Sequence, residues 1–194
     1  MNSDYDYKKD INSAVEAMRA GGVIAYPTDT VCGIGCDASC SEAVRKVFTI
    51  KHRADSKALI TLVADEEMLG RYVPGVIPDA CRSIINAGGR PVTVVYPHGR
   101  NVAPELLAAD GSIGVRITRS GFPADLCQAL GGAVVSTSAN ISGHPAARTF
   151  AEIDPAILEA VDYVALSGRD NDVPAMPSRV VKIADDGEII ILRD

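Results

Sequence analysis

The sequence predicts an α/β fold: a single domain on a twisted, open sheet of mixed parallel and antiparallel strands, flanked by helices. Three observations lead there. Short apolar runs rich in β-branched residues alternate with stretches of helical periodicity along most of the chain. The C-terminal part breaks that alternation, because Val180 to Ile183 and Ile189 to Leu192 read as strands joined through Asp185-Asp186-Gly187, a turn suited to a hairpin. The chain has 194 residues, 47% of them hydrophobic and 23% charged, which is enough for one sizeable core and too little for two ordinary domains.

Taken in order, residues from about Asp10 to Ala20 read as a helix, with Asp10 as N-cap, Ile11, Ala14, Val15 and Met18 on one face, and Gly21-Gly22 as the stop. Residues 1–8 have the polar character of a frayed end. A strand follows at Val23 to Tyr26. Ser41 caps a helix carrying Val44, Val47 and Phe48, and Ala58 to Ala64 is a β-rich apolar run. Helices at Asp65 to Tyr72 and Asp79 to Ala87 precede strands at Val92 to Tyr96 and Ile113 to Thr118. A helix at Ala124 to Leu130 leads into the apolar run Ala133 to Val135. Thr149-Phe150-Ala151-Glu152 has capping-box spacing and predicts a helix to about Val161, followed by a short strand at Tyr163 to Leu166. The glycine pairs at 21-22, 88-89 and 131-132 all follow helical stretches, where a left-handed C-cap calls for glycine.

Several function classes are disfavoured by composition. No apolar run approaches the ~18 to 20 residues that span a bilayer, and the start of the chain lacks the basic and apolar segments of a signal peptide, so a cytoplasmic location is expected. The five cysteines read as reduced thiols. Cys32, Cys36 and Cys40 are four apart, but glycines intervene and no histidine pair or C-x-x-C motif completes a set, so they read as buried small residues and no metal site is expected. Neither a P-loop nor a Rossmann glycine turn occurs.

The residues that point to chemistry lie elsewhere. Lys51, Arg53 and Lys57 fall within seven residues of a protein whose net charge is -6, which suggests a local polyanion such as a polyphosphate. A helix C-terminus accounts for one or two such cations, but Lys57 lies beyond the helix. Pro27-Thr28-Asp29-Thr30-Val31-Cys32-Gly33-Ile34-Gly35 follows a strand directly and reads as a loop rich in hydroxyls and glycines. Ser136-Thr137-Ser138-Ala139-Asn140, continuing through Ser142-Gly143, is a second hydroxyl-rich loop. Arg116 interrupts an apolar strand and must face solvent or an anion, for which its fork suits a carboxylate.

Three classes remain: a nucleotide-using transferase, a nucleic-acid binding module, and a hydrolase built on Ser136 or Ser138 with His144. The hydrolase lacks a G-x-S-x-G elbow and a marked acid partner. The acidic balance, with three Phe and no Trp, weighs against RNA binding as the sole function. The transferase leads.

These motifs, in this order, resemble the YrdC family, whose members are L-threonylcarbamoyladenylate synthases, a class of nucleotidyltransferase. The resemblance runs from about Gly21 to Arg193 and rests on Tyr26 to Gly33, Lys51-His52-Arg53 with Lys57, Gly114-Val115-Arg116, Ser136 to Asn140 with Ser142-Gly143, and Ser178-Arg179-Val180-Val181 with Arg193. It implies a single YrdC-like domain. It also implies a reaction in which L-threonine, bicarbonate and ATP give threonylcarbamoyl-AMP and pyrophosphate with Mg²⁺ assisting. The product feeds modification of adenosine 37 in tRNAs reading ANN codons, a transfer made by separate partner proteins, and whether this chain touches tRNA is left open. On the same resemblance, Thr30, Arg116, Ser136 and Ser178 hold threonine. Lys51, Arg53 and Lys57 line the triphosphate as the catalytic cations, and Ser112, Ser138, Asn140, Ala146 and Arg193 contact the nucleotide.

The chain departs from the family pattern at Cys32, where tyrosine is usual, at Ala54, where proline is common, and at Met176-Pro177-Ser178-Arg179. It is expected to be the short form, without an added C-terminal domain. Two alternatives stay open beside the synthase: a double-stranded RNA, tRNA or ribosome-maturation module without adenylation, and a transferase forming carbamoyl adenylate.

Overall fold

The computed structural model describes residues 3–52, 59–147, 149–169, 177–184 and 186–194. Arg53 and Lys57 of the cationic trio therefore lie outside the described residues, as do Ala54, Met176 and Asp185.

Helix α1 spans Ser3–Arg19 and buries Ile11, Ala14, Val15 and Met18, the expected face, but it starts seven residues earlier than its sequence suggests. Asp10 is not its cap. The Asp10 side chain instead accepts hydrogen bonds from the Tyr163 hydroxyl at 2.6 Å and from the backbone N–H of Leu166 and Ser167 at 3.0 and 2.6 Å. An aspartate just before an apolar periodic run mimics an N-cap, and only the fold shows that it caps a distant loop. The first turns of α1 are held by Tyr7, whose hydroxyl donates to Asp125 and whose ring meets Phe122 edge-on.

Strand β1 is Ile24–Tyr26, and the segment read as one long loop after it turns back as strand β2, Gly33–Gly35. Helix α2, Ser41–Ile50, buries Ala43, Val44, Val47, Phe48 and Ile50; its N-cap is Cys40 rather than Ser41, and Lys51 is its C-cap. Then come β3 (Ile60–Val63), α3 (Glu66–Tyr72, with Asp65 as its N-cap), α4 (Asp79–Asn86), β4 (Val92–Tyr96) and β5 (Ile113–Ile117). Helix α5, Gly121–Leu130, stops at Gly131, which takes the left-handed φ of 74° that favours glycine, and β6 is Val134–Ser138.

The capping-box helix does not form as expected. Phe150–Glu152 is only a 3₁₀ turn, and α6 begins afresh at Pro155–Ala160, where Asp154 accepts from the Ala156 N–H at 2.9 Å and proline occupies the first turn. Asp-Pro is the stronger start signal, because proline fixes a helical φ and gives up an N–H that has no partner there anyway. The chain ends in β7 (Tyr163–Val164), β8 (Arg179–Ile183) and β9 (Ile189–Arg193), the last two forming the expected antiparallel hairpin.

Among the described residues the strands form one sheet in the order β7-β1-β2-β6-β3-β5-β4-β8-β9. The pairs β1 with β7, β3 with β5, and β4 with β8 are parallel, and the other neighbours are antiparallel. Directly paired residues share a face, so register dictates what each face carries. Ile60 pairs with both Gly114 and Ser136, Gly114 with Val95, Thr93 with Val180, and Val180 with Arg193. That face therefore gathers Ser136, Gly114, Arg116, Thr93 and Arg193 from four strands. Its alternates, among them Ile113, Val115, Val94, Tyr96 and Val181, are buried in the core. A period of two thus turns four separate strands into one polar floor.

Candidate active site

A cavity of about 360 Å³ opens on the polar floor. Its walls come from the turn after β1 and the ends of β2 and β6 on one side, and from Ser112, Ser178 and Arg193 on the other. The turn is built by its own sequence. Thr28 Oγ1 accepts from the N–H of Thr30 and Val31 at 3.1 and 3.2 Å and donates to the Val31 carbonyl at 2.6 Å, which fixes the residues between them. Thr30, only 6% exposed, places its hydroxyl 3.0 Å from that of Thr28. Gly33 is required beside it, since a Cβ there would lie 2.9 Å from Thr28 Cγ2.

Arg116 lies in the middle of the sheet, 4% exposed, with Nη2 2.8 Å from the Asp29 carboxylate. Its buried Nε has no hydrogen-bond partner among the described residues. The anion that Arg116 was expected to face is therefore, in part, one from its own chain. In the sequence Asp29 is one member of a polar loop, and nothing local signals a partner 87 residues away.

At the far end of β6, Lys51 is 2% exposed and directs Nζ to the carbonyl oxygens of Ser138 and Asn140, the latter at 2.7 Å, and to Asn140 Oδ1 at 3.3 Å. Its own carbonyl accepts from the Ser142 N–H at 2.9 Å. The end of α2 and the second hydroxyl loop are thereby locked together by one ammonium. Asn140 extends the lock, meeting Ser138 Oγ through Oδ1 and donating from Nδ2 to the carbonyls of Ile141 and His144. Ser138 lines the cavity, whereas Asn140 and His144 line a neighbouring hollow. Ala146, half-buried, follows in the same loop.

On the opposite wall, the hydroxyls of Thr93 and Ser178 are 2.8 Å apart, and Arg193 donates from Nε and Nη2 to the Ser178 carbonyl at 3.2 and 2.8 Å. Ser112 is held by its backbone N–H to Asp110 at 3.0 Å. Hydrogen bonds from Ser112, joined by Lys182, keep the exposed Asp110 carboxyl low, at about 2. Nothing in the sequence marks Thr93 as a site residue. A threonine in an apolar strand signals β-propensity alone, and only the register puts it on the polar floor.

The sequence-derived residues Thr30, Arg116, Ser136, Ser178, Ser112, Ser138 and Arg193 all line this one cavity, with Lys51 and Asn140 immediately behind its wall. Cys32 is buried, and burial pushes its thiol above the ordinary range, so it is held as a neutral SH group. Among the described residues no group of three or more His, Cys, Asp or Glu is arranged to hold a metal ion, and no helix is long and apolar enough to cross a membrane.

A cavity on an open sheet, anchored by a buried arginine and ringed by hydroxyls, defines a class of α/β protein whose site suits small charged ligands without a glycine-rich phosphate loop. The family model Sua5_yciO_yrdC, described as "Telomere recombination", matches residues 16–194, and the chain belongs to that family. It is 41% identical to the threonylcarbamoyl-AMP synthase of Stenotrophomonas maltophilia (strain K279a) over 79% of this chain and 84% of that one. The structure of E. coli YciO superposes with a TM-score of 0.80 at 26% identity, covering 96% of this chain and 89% of that one. P. abyssi Sua5 complexed with L-threonine shares the fold, with a TM-score of 0.81 at 24% identity over 94% of this chain, which spans 53% of the Sua5 chain.

Proposed function

We propose that this protein is a threonylcarbamoyl-AMP synthase, joining L-threonine, bicarbonate and ATP with release of pyrophosphate. The observation that carries the reading is the shared wall formed by Ser138. Its side lines the Arg116 cavity while its carbonyl is bound by the Lys51 ammonium, so a carboxylate site and a cationic site adjoin. The 41% identical relative is named for this activity.

In this reading Arg116 binds the threonine carboxylate, and Thr30, Ser136 and Ser178 surround the rest of the molecule. The threonine ammonium gives up a proton to solvent, the free amine and bicarbonate form a carbamate with loss of water, and a carbamate oxygen attacks the α-phosphorus as pyrophosphate departs. Two anions must approach each other, so the task of the chain is to hold them in line and to neutralise charge. Lys51 positions the loop presenting Ser138 and Asn140 and keeps positive charge just behind the wall, with Arg53 and Lys57 following it in sequence to serve the leaving phosphates. Ser112, Ala146 and Arg193 complete the nucleotide contacts. Mg²⁺, bound to the ATP phosphates, would shield their charge.

The product is assigned as the donor for threonylcarbamoylation of tRNA adenosine by separate proteins, in the cytoplasm, where five free thiols are in keeping with a reducing milieu. Pyrophosphate release should require both L-threonine and bicarbonate. Release that continues undiminished without threonine would overturn the assignment.

A further inference from the structure

We propose that Asp29 is the acceptor for the substrate's α-ammonium group, so that Asp29 and Arg116 together select a zwitterion. The inference rests on the synthase reading above and adds a specificity-determining residue to it.

Three observations carry it. First, Asp29 lies 2.8 Å from the guanidinium that is the buried cation of the cavity, so this end of the site is already electrically neutral. A simple carboxylate entering there would add an uncompensated negative charge in a place 4% exposed at its arginine, whereas a zwitterion adds none. Second, the arginine is not saturated. Asp29 takes Nη2 and is the one ion-pair partner of the guanidinium among the described residues, and a guanidinium carries five N–H donors, so it retains capacity for a second carboxylate beside the first. Third, Asp29 is held in place by the Thr28 side chain, which bonds the backbone on the far side of it, and its own side chain stays 29% exposed. An α-amino acid carries its ammonium two bonds from its carboxylate. A carboxylate on Arg116 therefore brings the ammonium to the carboxylate already there.

The same charge has a second consequence. A triphosphate is repelled from Asp29, while the other cavity arginine, Arg193, is three strands away on β9, roughly 14 Å at ordinary strand spacing. Asp29 thereby reserves the Arg116 end for the amino acid.

The test is calorimetric titration of the full chain with L-threonine and with 3-hydroxybutyrate, which is threonine without its amine. The wild type should prefer L-threonine by about 10-fold or more, the worth of a hydrogen bond to a charged group. Asp29→Asn and Asp29→Ala should bring the two ligands to similar affinity, chiefly by weakening L-threonine. Damage to the fold alone weakens both ligands and keeps their ratio, so an unchanged ratio in the variants overturns the role of Asp29 and leaves the synthase reading standing. A wild type that binds 3-hydroxybutyrate as tightly as L-threonine overturns it without any variant. A wild type that binds no L-threonine overturns both.

Discussion

The Arg116 guanidinium holds the Asp29 carboxylate at 2.8 Å, joining the central strand β5 to the turn that follows β1. One side chain thus anchors both the floor and a wall of the cavity. Replacing it should affect substrate binding more than folding, since Asp29 is partly exposed and can be rehydrated. Arg116→Lys keeps the charge but loses the planar fork. A hydrogen bond to a charged group is worth about 1.5–3 kcal/mol, so losing the paired donors to the substrate carboxylate should raise KM for L-threonine ~10-fold or more while the melting temperature moves by only a few degrees. Steady-state kinetics at saturating ATP checks this; an unchanged KM would remove Arg116 from the site.

Lys51 has a different signature, because its ammonium serves structure as well as charge. Lys51→Met leaves the Ser138 and Asn140 carbonyls without their donor, at about 1–3 kcal/mol for unsatisfied buried groups. Both thermal stability and kcat should fall, the rate by ~10²-fold or more for a lost electrostatic contact in the transition state. Lys51→Met that keeps full activity would show that the lock matters only to folding.

Acid stability should depend on Asp10. Burial, the largest single influence, pushes its carboxyl up, but the hydrogen bonds from Ser167, Tyr163 and Leu166 outweigh it and hold the group below the ordinary value. The Tyr163 hydroxyl, pushed up by burial and by its bond to Asp10, titrates at about 12. A depressed carboxyl contributes stability that is present above its unfolded pKa, near ~4, and is lost as pH falls through the folded value. Asp10→Asn should cost about 2–3 kcal/mol at pH 7, as loss of hydrogen bonds to a charged group does. Its stability should also decline less steeply below pH 4 than that of the wild type, as denaturant titrations across pH 2–7 would show.

Local signals in the sequence place most of this fold. Val92 to Tyr96, Ile113 to Ile117 and the closing hairpin lie where β-branched runs and a turn signal put them. What escapes is whatever depends on a distant partner. Strand β2 is Gly-Ile-Gly, a single strand former between two glycines that disfavour strands, and exists because it is sandwiched between β1 and β6. Asp10 looks like a cap until Tyr163 arrives, and Asp29 looks like a turn residue until Arg116 does. The candidate site is legible where hydroxyls and cations cluster in sequence, as at Ser136 to Asn140. It is silent at Thr93, which joins by register alone.

That dependence on partners makes one substitution act with opposite sign at two glycines. Gly35 in β2 has φ outside the left-handed region, so alanine suits its backbone, yet a Cβ there would strike the Val135 carbonyl and lie 3.1 Å from Tyr26 Cε1. The obstacles are the backbone of the neighbouring strand and a fully buried ring, neither of which can yield without moving the sheet. Overpacking of this kind costs about 1–3 kcal/mol and more where backbone must shift, so Gly35→Ala should lower the unfolding free energy by ~3 kcal/mol or more. Gly70, inside α3, meets nothing within 4 Å and also lacks a positive φ. Alanine there relieves the entropic cost of a helical glycine and should raise stability by about 0.5–1 kcal/mol. Chemical denaturation of the two variants side by side decides the matter. Equal effects at both positions would mean that helix and strand propensity governs these sites, and that the close approach of β2 to β6 does not hold in solution.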